Sequence, residues 1–398
     1  MRKHAAALAT GVVSACPSAY APTVRIATRA LAAAPAFGRV YAYCRRYNVW
    51  PDPVLSVPRM APIAAFAHLP LPNLPTDAAL AEWLALPQEA LSYYADPRGR
   101  HEAHEETAVN HYHYHLLAKS TGGVRLIEAP KQRLKTFQRR ILRGILAHVP
   151  PHRDAFGFVR GRNCLDAAQR HANEEVVICL DIRHFFPSVR AMRIFGLFGS
   201  LGYPEAVARS LTGLCTSRTP TRILGRLPLA DRALFSESHL PQGAPTSPAL
   251  ANLTAYRLDC RLAGLAHRLD AQFSRYADDI TFSGARSIAP MVLQTADFIL
   301  RDEGFAPHPH KTRIMSQGTR QTVTGVVVNK HVNTSRANFD RLKAVVHALG
   351  KPGDARLDDP ATLPRLLGEI GWVEAVNPAR GAKLRHLLAV SLSKRRPT

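Results

Sequence analysis

Three features of the sequence predict an α+β fold. Val176-Val-Ile-Cys-Leu-Asp181 is a short apolar run ending in a carboxylate, as a buried strand would be. Phe273 to Phe282 is a second such run, with its acids at a turn. Between them lie helical patterns at 191–201, 206–214 and 248–269, and this mixed order of strand and helix argues for an α+β core. With 398 residues, 46% of them hydrophobic, the chain can bury real cores in more than one lobe.

From Asp77, Leu80, Trp83, Leu84, Leu86 and Leu91 recur at near-helical spacing, predicting one or two helices that open a domain. His111-Tyr-His-Tyr-His-Leu-Leu then alternates with period two, and Ser120-Thr-Gly-Gly separates it from Val124-Arg-Leu-Ile-Glu. That order predicts a β-hairpin whose Gly122-Gly123 supplies positive φ. After Pro130, Leu134, Phe137, Ile141, Leu142 and Ile145 fall on one helical stripe. The tail from 331 reads as helical and basic, with twelve Lys/Arg against six acids. Ser335 is placed to cap a helix with Phe339, Leu342, Val345, Val346 and Leu349 inward and Arg336, Arg341 and Lys343 outward.

Charge narrows the partner. Lys and Arg number 52 and Asp and Glu 30, a net of +22. An excess of that size suits a polyanion, because neutralising phosphates releases condensed counterions. Residues 1–60 alone carry +7, and prolines recur from Pro51 to Pro75, so 1–76 reads as a basic extension and connecting segment before a main body at 77–330 and a tail at 331–398. Met1-Arg-Lys-His followed by Ala5 to Ala15 has the outline of a secretory signal, but the stretch is Ala-rich and basic residues continue beyond it. No run of 18 apolar residues suggests a spanning helix, and the six scattered cysteines read as reduced core residues, so a cytoplasmic location is expected.

The chemistry sits in two segments, Asp181-Ile-Arg-His-Phe-Phe-Pro and Tyr276-Ala-Asp278-Asp279. One aspartate at a strand end is a weak signal. Two adjacent carboxylates at a tight turn are sharper, since their repulsion is readily offset only by a cation. If the fold joins the segments, Asp181 and Asp278 can bridge two Mg²⁺ about 3.5–4 Å apart, which activates a 3′-hydroxyl and steadies a leaving pyrophosphate.

With these residues in hand, the chain resembles the reverse transcriptases, and within them the bacterial retron type, over about residues 80–395. The resemblance implies a fingers–palm–thumb right-hand polymerase with an RRM-like palm and a helical basic thumb. It assigns Asp181 and Asp278 as metal ligands, Asp279 as the supporting acid, and places Ile182 with them at the metal site. Lys119 and Arg125 flank the hairpin turn, where two cations can meet the triphosphate of a dNTP. Gln242 and Gly243, in Leu240-Pro-Gln-Gly-Ala-Pro-Thr-Ser-Pro, resemble the box against the nascent base pair; glycine suits close backbone approach and Gln242 can hydrogen-bond a sugar or base edge. Phe186 falls where the family keeps an aromatic under the sugar, with Phe185 on the other side of a strand end. Lys311 resembles the lysine near the pyrophosphate.

Thr322-Val-Thr-Gly-Val-Val-Val-Asn329 resembles the retron VTG box, and Ala167-Ala-Gln-Arg-His171 resembles the NAxxH box with alanine in place of asparagine. Asp166 stands beside that alanine as a substitute polar group. A metal site on His111, His113 and His115 lacks a carboxylate or cysteine at ligand spacing, and His101-Glu-Ala-His104 is one residue short of HExxH. The retron resemblance implies a structured non-coding RNA as template and primer, its cDNA as product, a branched RNA–DNA molecule (msDNA), a role in anti-phage defence, an effector protein as a possible partner, and no membrane. A group II intron-like or abortive-infection reverse transcriptase is the first alternative. A non-catalytic RNA-binding scaffold is the second, opposed by intact Asp181, Asp278, Asp279 and Gln242.

Overall fold

In a computed structural model, residues 8, 24–49, 58–96, 110–118, 123–351 and 354–394 are described. All of the secretory-like stretch but Leu8, together with His101 to His104 and Lys119, lies outside them.

The main body is built on a five-stranded antiparallel sheet. Its centre is β3 (Val176–Arg183), given that β1 (Tyr112–Ala118) and β2 (Val124–Pro130) form a separate hairpin. β4 (Gln272–Tyr276) and β5 (Asp279–Gly284) lie on one side of β3; β6 (Ala306–Pro307) and β7 (Arg313–Ser316) share its other edge. A further hairpin, β8 (Thr322–Val323) and β9 (Val326–Val327), turns through Thr324 and Gly325, both at positive φ. That turn is the VTG box.

β3 reads as a continuous apolar run because both its faces are covered. Val176, Ile178, Leu180 and Ile182 point into the main core beside the helices Tyr256–Arg268 and Ala289–Asp302. Val177 and Cys179, one residue out of phase, join Val323, Val326, Val328 and Val376 in a second core on the opposite face. The helical run expected at 248–269 is two helices, Ser247–Thr254 and Tyr256–Arg268, broken at Ala255. The pair expected at 77–94 is Asp77–Leu84 and Gln88–Ala95.

The proline-rich stretch, expected as a connector, is packed where it is described. Ala61 and Ile63 donate backbone hydrogen bonds to Gly202 and Ser200, and Leu74 is buried in the main core. Proline fixes extended backbone, which lets such a strand of chain lie along a surface without regular pairing.

The tail forms helices Arg336–Leu349, Thr362–Val376 and Pro378–Ser393 around their own core of Leu342, Val346, Leu349, Leu366, Ile370, Val373, Leu384 and Leu388. Ser335 caps the first of these by accepting from the Asn338 amide at 3.2 Å. Among the described residues, no helix is long and apolar enough to cross a membrane.

Candidate active site

Strand pairing joins the two acidic segments. Asp181 lies opposite Asp279 in the β3–β5 register, and the β4–β5 hairpin turns through Ala277 and Asp278, with Tyr276 opposite Asp279. Ala277 takes the left-handed conformation, φ 57°, which a tight two-residue hairpin requires. The Ile182 amide donates to the Asp278 carbonyl at 2.9 Å and clamps the turn onto the end of β3. Ile182 itself is buried in the core, so its carbonyl is the only group it can offer an ion.

The three carboxylates feel each other. Burial, then Asp181, raises Asp278, while Lys311 and Arg125 pull it down. Asp279 keeps an exposed edge, yet burial of its carboxyl and the charges of Asp278 and Asp181 push it up to about 6, against Lys311 and Arg313. The Lys311 ammonium sits 2.8 Å from Asp181 Oδ2, a positive charge standing where these acids call for one. Among the described residues no three His, Cys, Asp or Glu side chains close around one point. Asp181 and the Asp278–Asp279 turn, brought together by the strand register, suit Mg²⁺, an ion held by one or two carboxylates that completes its shell with phosphate oxygens and water.

Arg275, the last residue but one of β4, anchors the turn from below. It is fully buried, pairs with Asp259 through two contacts of 2.6 Å, and donates to Asn252 Oδ1 and to the Ala277 carbonyl at 3.0 Å each. Gly157 lies against the same turn so closely that a Cβ there would stand 2.5 Å from the Ala277 nitrogen. Neither residue was singled out from sequence. The available signal was an arginine inside a largely apolar strand segment, between Phe273 and Ile280, where an unpaired charge is untenable.

Phe185 and Phe186 do not straddle a strand end as expected. His184, at φ 51°, ends β3, and both rings belong to a short helix, Phe185–Ser188. The separation of their roles survives this change: Phe185 is buried, packed 5.7 Å from the Phe305 ring, whereas Phe186 is only partly buried.

Glycine at 243 is demanded by a neighbour other than the one expected. At φ 138°, its Cβ would come within 2.9 Å of the Glu128 carbonyl, so the close approach here is to β2. The Glu128 amide also donates to the Gln242 carbonyl at 2.9 Å. The Glu128 side chain is fully buried, 2.8 Å from His239 Nε2 and accepting from Ser217 and Thr219. Arg125 is exposed on β2, near enough for its charge to act on Asp278.

The two boxes that carry the retron resemblance pack together: Thr324 Oγ1 donates to the Cys164 carbonyl on helix Cys164–Gln169. Ala167 is buried there, and Asp166 is not a substitute for the missing asparagine, because its carboxylate closes a capping box with Asn163. His171 is wholly buried between Ser283 and Ser274 at 2.8 and 2.7 Å, bracing β4 and β5 from behind.

In the tail, Arg336 and Lys343 are exposed, Arg336 within 3.5 Å of Asp340. Arg341 is committed to Glu369 on the next helix, and so is less free for an outside anion than expected.

Comparison with known proteins agrees with this geometry. The family described as reverse transcriptase (RNA-dependent DNA polymerase) matches residues 117–334. The retron Mx65 reverse transcriptase of Myxococcus xanthus is 39% identical over 328 residues, covering 81% of this chain and 73% of its own length. The chain belongs to the retron reverse transcriptases. The retron Mx162 reverse transcriptase of the same organism is 35% identical over 330 residues, with 78% and 66% covered. The Escherichia coli retron Ec86 reverse transcriptase is 32% identical over 228 residues, with 56% and 65% covered. This reverse transcriptase is thus an RNA-directed DNA polymerase whose mixed helix and sheet are consistent with a right-hand fold and whose substrates are an RNA template and nucleotides.

Proposed function

We propose that this reverse transcriptase copies a dedicated structured RNA into DNA with the carboxylates of Asp181 and Asp278 as the metal-binding pair. The observation that carries the reading is the register placing Asp181 opposite Asp279 at the hairpin that bears Asp278. Two Mg²⁺ bound there would lower the pKa of a primer hydroxyl and neutralise the leaving pyrophosphate. Asp279 supports the pair and the Ile182 carbonyl faces the same site. Lys119 and Arg125 hold the triphosphate; Gln242 and Gly243 bound the nascent base pair; Phe186 fills the volume of a 2′-hydroxyl. Lys311, whose ammonium lies 2.8 Å from Asp181, would meet the pyrophosphate. Arg336, Lys343 and, less freely, Arg341 grip duplex backbone from a thumb at 331–398, beside fingers and palm at 77–330 and a basic extension at 1–76.

The same reading includes priming from an internal 2′-hydroxyl of the cognate RNA, a branched RNA–DNA product, a role in anti-phage defence with an effector protein, and a cytoplasmic site of action. The retron relatives and the packed VTG and NAxxH boxes support it. Incubation of the purified protein with an RNA template, a DNA primer, Mg²⁺ and dNTPs should yield complementary DNA, with little product from NTPs; no RNA-dependent dNTP incorporation would overturn the polymerase assignment. In cells carrying the gene and its flanking DNA, newly made DNA should shift in mobility after ribonuclease treatment. DNA that runs free of RNA would remove the branched product and leave the polymerase.

A further inference from the structure

Phe158 combines three unusual properties. It is a bulky residue at φ 62°, in the left-handed region that disfavours side chains with a Cβ. Its ring is exposed, with half its surface open to solvent. It also lies beside the site, 6.0 Å from the Phe186 ring.

The loop that carries it has little freedom to relax. The Phe156 amide donates to the Arg275 carbonyl at 2.8 Å, Gly157 is pressed against the Tyr276–Ala277 backbone, and Asn252 donates to the Gly157 carbonyl at 2.8 Å. Beyond it, Arg162 donates to the carbonyls of His152, Arg153 and Ala155 and closes the loop on itself. The same framework that fixes the catalytic turn therefore holds Phe158 in its disfavoured conformation. Burial of the ring would offset that strain, and the ring is not buried. An over-determined, strained and exposed aromatic beside reacting groups is the pattern of a ligand contact.

We infer that Phe158 is a substrate-contacting specificity residue, whose ring packs against the nucleoside part of the incoming nucleotide in the nascent base pair. Phe186 lies under the sugar in the reading above, on which this inference rests, and a second ring 6.0 Å away extends that apolar floor toward the base. An aromatic face suits this task because every base presents a π-face or an apolar edge, whatever its sequence.

Phe158→Gly separates this role from a structural one, because glycine relieves the left-handed strain while deleting the ring. On a defined RNA template with a DNA primer, KM for dNTP should rise by about tenfold in Phe158→Gly and in Phe158→Ala, with template–primer affinity within twofold of wild type. The thermal midpoint of Phe158→Gly should equal or exceed that of Phe158→Ala, and Phe158→Tyr, which keeps the ring, should restore KM to near wild type. Unchanged KM in the glycine and alanine variants would overturn the proposal, as would a KM rise in the tyrosine variant matching theirs. Asp278→Asn, assayed alongside, distinguishes the two failures. If that variant is inactive while Phe158 variants keep normal KM, only the Phe158 contact is lost; if Asp278→Asn still synthesises DNA, the active-site reading itself fails.

Discussion

Arg275 and Asp259 form a bidentate ion pair closed to solvent on both sides, and the same guanidinium reaches the carbonyl of Ala277, one residue before Asp278. A buried pair of this kind adds little net stability, because desolvation cancels most of the attraction, but breaking one half leaves an uncompensated charge. Arg275→Leu should therefore destabilise the fold by about 3–5 kcal/mol. The double variant Arg275→Leu/Asp259→Leu should regain much of that loss in urea unfolding while synthesis stays low, since the turn has lost its donor. Recovery of both together would mean the pair serves the fold alone.

Asp181→Asn and Asp278→Asn should each abolish DNA synthesis and leave RNA affinity within a few-fold, because binding rests on the basic surface and the reaction on the carboxylates. Primer extension and a gel-shift titration at one salt concentration measure the two. Activity within tenfold of wild type in both variants would dismiss the assignment.

Sugar selection should depend on Phe186 and hardly at all on Phe185. Phe186→Ala opens space beside the nucleotide and should raise the use of GTP relative to dGTP by roughly 100-fold in kcat/KM, about 2.7 kcal/mol of lost discrimination. Phe185→Ala, in the core against Phe305, should cost about 3–5 kcal/mol of stability and leave the ratio unchanged. The opposite outcome would exchange their roles.

His171 predicts a pH dependence. Burial, with a smaller push from Arg170, holds its imidazole down at about 3, well below its ordinary 6.5. Above pH 6.5 it is neutral folded or unfolded, and its full contribution is present. As pH falls below 6.5 the unfolded chain takes up a proton that the folded chain refuses, so stability declines from there toward pH 3. Thermal midpoints at pH 7.5 and 5.0 should lie further apart in wild type than in His171→Gln. Equal spacing would show that this histidine is not the group responsible.

The elements with a continuous apolar run or a clean periodic face were legible in the sequence. Apolar runs and periodicity located β3, β4, β5 and the helix that Ser335 caps, and the Tyr-x-Asp-Asp turn located the acids. What escaped depends on groups distant in sequence. No local pattern pairs Arg275 with Asp259 or presses Gly157 under Ala277, and the left-handed His184 that ends β3 carries none of the glycine signature expected of such a conformation. Gly243 was visible as a constraint, but the neighbour imposing it, β2, lies more than a hundred residues earlier in the chain.

That neighbour bears on motion. The base of the β1–β2 hairpin is joined to the nucleotide box by the Glu128–Gln242 backbone bond and by a sealed carboxylate whose partners are His239, Ser217 and Thr219. Opening the hairpin from its root would strip that carboxylate of every partner at once. If Arg125 meets a triphosphate and Gln242 bounds the base pair, as proposed above, any swing of the hairpin would have to pivot beyond Glu128, carrying Arg125 through an arc while the segment around Gln242 stays still.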